Sequence, residues 1–298
     1  MKKKVFITGC GGMLGKSIYQ VFKKAGYSIK ATDINLNASW LSYLDVRDTR
    51  AVWKEIVNHD YDYIFHLAAE TDLEVCQKNP DHAYKTNSFG TYNITRACLK
   101  KNIPLIYIST AGVFDGEKKT PYTEYDLPKP IMVYGQSKYN GEVIIKEMLN
   151  KYYIVRAGWM VGGVEKDKKF IAKIVDQINE GKRTIYAVTD KWGTPTYTKY
   201  FAENLEKLIQ TKLYNTYHMV CEGSATRYDI AKEILKITGK HKKIKLIKVT
   251  SEYFKKEYWV NRPKSEALLN INLKYINLNL MKDWRLALKE YLKEFSIK

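Results

Sequence analysis

The chain has 298 residues, 45% apolar and 28% charged, with seventeen Gly and seven Pro, which fits a globular protein and excludes collagen-like or low-complexity chains. Fifty basic and thirty-two acidic residues leave a net charge of +18, but the basic residues are mostly Lys and scattered. They read as solvated surface with mild attraction for anions, not as a nucleic-acid face. No apolar run reaches the roughly 18 residues of a membrane span, so no membrane partner is expected. The four dispersed cysteines, Cys10, Cys76, Cys98 and Cys221, form no C-x-x-C pair, which argues against a disulfide or zinc scaffold and for a reducing, cytoplasmic setting.

The basic start, Met1 to Lys4, meets only three apolar residues before a glycine loop, too few for a secretory leader. Residues 5–8 read as a strand. A helix follows over 13–25, its apolar face carried by Leu14, Ile18, Val21 and Phe22, with Gly26 as the C-terminal stop. Further elements are a strand over 29–33, a helix over 50–58, a buried strand over 63–67, a long helix over 81–101 and a strand over 105–109. A helix over 135–149 and a strand over 153–155 complete the regular part. Strands alternating with helices predict an α/β fold, a Rossmann-type doubly wound parallel sheet. After residue 157 the regularity weakens. Helices are expected over 170–180, 200–210, 228–238 and 283–295, a turn over 193–196, and strands over 217–220 and 244–249. The expected division is a cofactor-binding domain over 1–157, to which segments near 185–212 return, and a smaller α+β substrate-binding domain over 158–298.

Gly9, Gly12 and Gly15 stand in a G-x-x-G-x-x-G turn between the first strand and first helix. Glycine there permits a tight turn and close approach of a pyrophosphate, whose charge sits at the helix N-terminus. Asp33, eighteen residues past Gly15 at the end of the second strand, is placed to accept from ribose hydroxyls. No Arg stands nearby in sequence to hold a 2′-phosphate, so NAD is mildly preferred over NADP.

A tyrosine and a lysine four residues apart share a helix face, and the ammonium is expected to lower the phenol's pKa. Four such pairs occur: Tyr19/Lys23, Tyr125/Lys129, Tyr134/Lys138 and Tyr228/Lys232. Only Tyr134/Lys138 opens a helix just after the strand that ends in Ser109 and Thr110, where ligands of open α/β sheets bind. His66 reads as a core residue, Asp115 and Glu124 as surface loop residues. His59, His82, His218 and His241 share no metal-ligand spacing, so no metal is expected.

The glycine turn, His66-Leu67-Ala68-Ala69, Asn87-Ser88-Phe89-Gly90-Thr91, Ile108-Ser109-Thr110 and Tyr134-Gly135-Gln136-Ser137-Lys138 resemble the extended short-chain dehydrogenase/reductase family. Val113-Phe114-Asp115-Gly116, Arg156-Ala157-Gly158-Trp159, Gly193 to Thr198 and Arg262-Pro263-Lys264 resemble, within it, the dTDP-4-dehydrorhamnose reductase group. The resemblance implies a catalytic set of Thr110, Tyr134 and Lys138. It implies cofactor contacts at Gly12, Met13, Leu14, Asp33, Asp45, Val46, Ala68, Ala69 and Glu70, and substrate contacts at Thr110, Trp159 and Arg262. The chain departs from that group at Ala111-Gly112, where Asp-Tyr is usual, and at Glu70, where His is usual. The expectation is an NAD(P)-dependent reductase of a nucleotide-diphosphate 4-keto-6-deoxysugar, in polysaccharide or glycoconjugate precursor synthesis, with a homodimer possible. A nucleotide-sugar 4-epimerase with retained NAD and a catalytically silent binding subunit are the alternatives.

Overall fold

The computed structural model describes residues 2–164, 167 and 170–297. Its centre is a seven-stranded sheet of β1 (Lys4–Thr8), β2 (Ser28–Asp33), β3 (Leu41–Tyr43), β4 (Tyr63–His66), β5 (Leu105–Thr110), β6 (Tyr152–Ala157) and β11 (Asn215–His218). The order is β11-β6-β5-β4-β1-β2-β3 and each neighbouring pair is parallel. The chain winds outward from β1 in both directions, so the strand order reverses between β1 and β4. That reversal opens a crevice at the carboxyl ends of the strands.

Period-two alternation divides the apolar residues between two faces. Phe6, Ile64, Leu105, Tyr107 and Ile154 point to one face, under α2 (Thr49–Val57), α5 (Gly90–Lys101) and α6 (Val133–Met148). Val5, Ile7, Phe65, Ile106, Tyr153 and Val155 point to the other, under α1 (Met13–Lys24) and α8 (Thr198–Gln210). Both faces being covered, the strands read as nearly continuous apolar runs.

The helix expected over 81–101 is interrupted. After α3 (Leu73–Lys78), which the sequence pattern did not reveal, α4 (Pro80–Tyr84) passes through a π-helical turn, Lys85–Phe89, before α5. The turn swings Asn87 and Ser88 inward, where both are buried against α6.

The C-terminal part comprises α7 (Phe170–Asn179), α9 (Arg227–Ile237), α10 (Ile271–Tyr275), α11 (Trp284–Leu292) and short strands. β7 (Trp159–Val161) pairs with β10 (Pro195–Tyr197), and β8 (Thr184–Val188) with β13 (Lys245–Val249). β9 (Trp192–Gly193) lies between β12 (Ala225–Thr226) and β14 (Ser265–Glu266). The turn expected over 193–196 is thus two short strands, because distant segments supply pairing partners that local sequence does not display. Of the segments near 185–212, α8 lies against α1, with Ser17 and Thr198 hydroxyls 2.9 Å apart, whereas β8 pairs, among the described residues, with β13 alone.

Candidate active site

The crevice is about 1390 Å³ and runs from the glycine turn, past the end of β5, to a second wall built by residues 158–266. The turn is shaped by contacts only glycine tolerates. Gly9 has φ +67°, and a Cβ there would lie 2.5 Å from the Ala68 nitrogen. At Gly15 a Cβ would meet the Cys10 carbonyl oxygen at 2.4 Å. Gly12 differs: its Cβ would find nothing closer than 3.4 Å, so the position is open toward the crevice. No side chain caps α1 and no acid lies in its first turn, so its leading N–H groups offer an anion site. This geometry fits a dinucleotide's pyrophosphate.

Asp33 ends β2, where its Oδ2 accepts from the Gly11 N–H at 2.9 Å and its Oδ1 from the Asn35 N–H at 2.9 Å. Asp45 and Val46 follow β3 on the same wall, with Val46 buried. The expectation that no Arg is near requires correction. Arg47 lines this wall and grips Asp45, its Nη2 2.7 Å from Oδ2 and its Nε 2.9 Å from Oδ1. That pairing, opposed in part by burial, holds the Asp45 carboxyl below the usual carboxylate range. Ala68, Ala69 and Glu70 form the opposite wall. Asn87 clamps it, accepting from the Glu70 N–H at 2.8 Å and donating to the Glu70 carbonyl at 3.0 Å and to Ser137 Oγ at 3.0 Å. Glu70 also faces His82 at 3.2 Å.

Thr110, Tyr134 and Lys138 come together where β5 ends and α6 begins, all lining the crevice. The Thr110 hydroxyl accepts from the Gly112 N–H at 3.1 Å and lies near enough to the Tyr134 phenol to lower its pKa. The other Tyr–Lys pairs lie elsewhere: Tyr19 stacks on Trp40 at 4.1 Å, exposed Tyr125 donates to Asn272, and Lys248 covers Tyr228.

The expected lowering of the phenol's pKa is not what the structure has. Burial pushes Tyr134 up, the Thr110 hydroxyl offsets part of that, and Cys76, Glu266 and Glu70 add to the rise. The Lys138 ammonium rests on the ring of Tyr107, 4.0 Å from the centroid, while the Tyr107 hydroxyl donates to the Lys138 carbonyl at 3.1 Å. Burial brings Lys138 down to about 7, against a smaller upward pull from Glu142. Glu142, one turn further along α6, accepts two hydrogen bonds from Arg156, at 2.9 and 2.7 Å, and one from Ser109 at 2.6 Å. All three are buried.

His66 is a core residue. Its Nδ1 lies 2.8 Å from Thr8 Oγ1 and its Nε2 3.0 Å from Thr91 Oγ1, and burial with nearby Lys138 drives its pKa to about 3. Glu124 corrects the expectation of a surface loop residue. Its carboxylate accepts from the N–H groups of His218 at 2.9 Å and of Ile271 and Asn272 at 3.2 Å, fastening the loop to the C-terminal part. Asp115, also expected to be a surface residue, accepts from the Tyr122 hydroxyl at 2.7 Å. Among the described residues no group of three or more His, Cys, Asp or Glu is placed to hold a metal ion.

On the far wall the Trp159 indole N–H donates to Glu266 at 2.8 Å. Gly193 packs so close that a Cβ would lie 2.2 Å from Trp159 Cε2. Arg262 is already engaged, its Nη2 2.8 Å from Glu74 and its guanidinium 4.9 Å from the Tyr258 ring centroid. Sequence reasoning missed Arg227, whose guanidinium lies 3.8 Å from the Trp159 ring centroid. Its isolated position at the start of α9 carries no local signal.

With tyrosine and lysine one helical turn apart beside Thr110, and the glycine turn across the crevice, the molecule takes its place among the extended short-chain dehydrogenases/reductases. Known families narrow this. The RmlD substrate binding domain family matches residues 3–297, and the chain belongs to that family. It is 31% identical over 293 residues to the spore coat polysaccharide biosynthesis protein SpsK of Bacillus subtilis, covering 98% of each chain. It is 28% identical over 295 residues to dTDP-4-dehydrorhamnose reductase of Aggregatibacter actinomycetemcomitans, covering 96% and 97% of the two chains. The crystal structure of the Bacillus anthracis dTDP-4-dehydrorhamnose reductase in complex with NADP superposes with a TM-score of 0.89 at 32% identity, covering 99% of this chain and 100% of that one.

Proposed function

We propose that the chain is an NAD(P)-dependent reductase of a nucleotide-diphosphate 4-keto-6-deoxysugar that serves polysaccharide or glycoconjugate precursor synthesis. The observation that carries this reading is the convergence of Thr110, Tyr134 and Lys138 at one strand end, across from the uncapped start of α1. When bound, the reduced nicotinamide supplies the hydride. Tyr134 donates its phenolic proton to the C4 ketone oxygen, and the Thr110 hydroxyl holds that oxygen. A phenol raised by burial stays protonated at neutral pH, so the acid is loaded. It gives up its proton only as the oxygen becomes an alkoxide, a far stronger base than phenolate. Lys138 orients the nicotinamide ribose and stabilises the phenolate left behind.

Gly9, Gly12, Met13, Leu14 and Gly15 would hold the pyrophosphate, Asp33 the adenosine ribose, and Asp45 and Val46 the adenine. Ala68, Ala69 and Glu70 would line the rest of the cofactor's path. A mild preference for NADH is part of the proposal, because Asp33 repels a 2′-phosphate while Asp45 occupies Arg47. Trp159 and Arg262 are assigned to the substrate. Residues 1–157, joined by the later α8 and β11, are assigned to the cofactor-binding domain and the rest of 158–298 to the substrate-binding domain. No described helix is long and apolar enough to cross a membrane, and we assign the protein to the cytoplasm. We further propose a homodimer, on the helical face where Tyr84, Phe89 and Val143 are exposed; sedimentation as a monomer would refute it.

The test of the reaction is single-turnover oxidation of NADPH by a dTDP-4-keto-6-deoxysugar. Tyr134→Phe is expected to lose about 10²–10⁴ in rate while binding cofactor normally. Tyr19→Phe, Tyr125→Phe and Tyr228→Phe serve as controls with unchanged rate. Substrate interconversion without net NADPH consumption would replace the reductase by an epimerase.

A further inference from the structure

The far wall holds a cation that the reaction as described leaves unused. Arg227 is the first residue of α9, half-buried, and it lines the crevice. Its guanidinium lies against two aromatic rings, 3.8 Å from the Trp159 centroid and 5.2 Å from that of Phe170. Among the described residues it forms no ion pair and no hydrogen bond. Of the two carboxylates that act on it, Glu266 accepts from the Trp159 indole N–H at 2.8 Å and Asp167 from the Tyr291 hydroxyl at 2.8 Å. Burial pulls the Arg227 pKa down to about 10; Arg262 adds to the fall, and the carboxylates Glu266 and Asp167 oppose it.

These contacts account for the flat face of the guanidinium and leave its edge unmatched. Stacking on aromatic rings compensates a cation in part. It satisfies none of the five N–H donors, which lie in the guanidinium plane and suit the paired oxygens of a phosphate or carboxylate. Arg262, assigned above to the substrate, is already paired with Glu74, whereas Arg227 has no carboxylate to give up. Trp159, fastened by Glu266 and pressed by Gly193, holds the guanidinium in place.

We propose that Arg227 is an oxyanion-binding residue on the substrate side of the crevice, using Trp159 as its support and taking two oxygens of an anionic group on the nucleotide sugar. The proposal rests on the sugar-nucleotide reading of the site. Two groups of such a substrate have this chemistry, the diphosphate and a carboxylate on the sugar.

The test is equilibrium binding to the full-length protein, with no turnover required. The probes are dTDP, and UDP-glucuronate set against UDP-glucose. Charge-assisted hydrogen bonds are strong enough that Arg227→Gln should weaken dTDP about 10- to 100-fold if the diphosphate is the ligand. A loss confined to UDP-glucuronate, with UDP-glucose unchanged, would assign the sugar carboxylate. Arg227→Lys keeps the charge without the fork and should fall between wild type and Arg227→Gln. NADPH affinity and melting temperature, unchanged in Arg227→Gln and Arg227→Lys, certify the fold. Full affinity for all three probes in a folded Arg227→Gln protein would overturn the inference and leave Arg227 as a prop for Trp159. If no 4-keto sugar is reduced but dTDP binding still depends on Arg227, the reaction falls and the subsite stands.

Discussion

The two walls of the crevice are built in different ways. The glycine-turn wall comes from one unbroken strand–turn–helix stretch, and its recognition groups are backbone N–H groups exposed because side chains are missing. The far wall is assembled from side chains at 159, 227, 258, 262 and 266, with aromatic rings supporting cations and few residues adjacent in sequence. A backbone site is set by a local chain path and serves any ligand carrying a pyrophosphate. A side-chain site depends on long-range packing and can be rebuilt one residue at a time. On the proposed assignment, cofactor chemistry belongs to the turn and substrate choice to the distant contacts, which are the freer to change.

Three changes probe this contrast, from the largest expected effect to the smallest. Gly12→Val adds a side chain where the fold has room but a pyrophosphate does not, since the nearest atom to a Cβ is 3.4 Å away. NADPH affinity, read by fluorescence titration, should drop about 100-fold or more, because several charge-assisted bonds of about 1.5–3 kcal/mol each are lost together. The melting temperature should hardly move. Unchanged affinity would mean the backbone wall is not the phosphate site.

Lys138 is the point where a side chain takes over from backbone. Its charged form is present below about 7 and is lost as pH rises through that value, so NADPH affinity should weaken in the same window. Tyr107→Leu removes the ring beneath the ammonium and should shift that loss downward by about 0.4–1.5 pH units, given about 0.5–2 kcal/mol for such a contact. Tyr107→Phe keeps the ring and should leave the pH profile in place. Identical profiles for the Leu and Phe variants would reduce Tyr107 to packing.

Asp45→Ala is the mildest. It frees Arg47 at the adenosine end of the backbone wall. The ratio of NADPH to NADH affinity should rise roughly 3- to 10-fold, the scale of one partly exposed charge-assisted contact. A constant ratio would show that Arg47 does not reach the 2′ position.

How much of this was legible in the sequence follows the same division. The turn at Gly9 to Gly15 and the pair Tyr134/Lys138 sit within local strand and helix patterns, and the structure brings both to the crevice. Asp33 was legible by its place at a strand end, but Arg47 was not. It is fourteen residues further on and reaches the same wall only because β3 pairs beside β2. The direction of the Tyr134 pKa differs from the expectation because spacing reveals a neighbour without revealing burial. The π turn at Lys85–Phe89 escaped notice because one extra residue in a turn leaves helical periodicity almost intact. Glu124 looked like a solvent residue because its three backbone partners come from positions 218, 271 and 272.

The buried Glu142–Arg156 pair carries a consequence for the lineage of such a protein. Losing either member leaves the other charge stranded without water, at a cost of about 3–5 kcal/mol. A typical domain has only about 5–15 kcal/mol of stability in all, so most single steps away from the pair lead through a barely folded ancestor. The two residues should therefore be inherited as one character, replaced together or not at all, while the lysines of the outer surface drift freely. Melting Glu142→Met, Arg156→Met and the double variant would show it. Both singles should fall well below wild type, with the double recovering much of the loss, because two apolar groups of similar volume leave no stranded charge between α6 and β6.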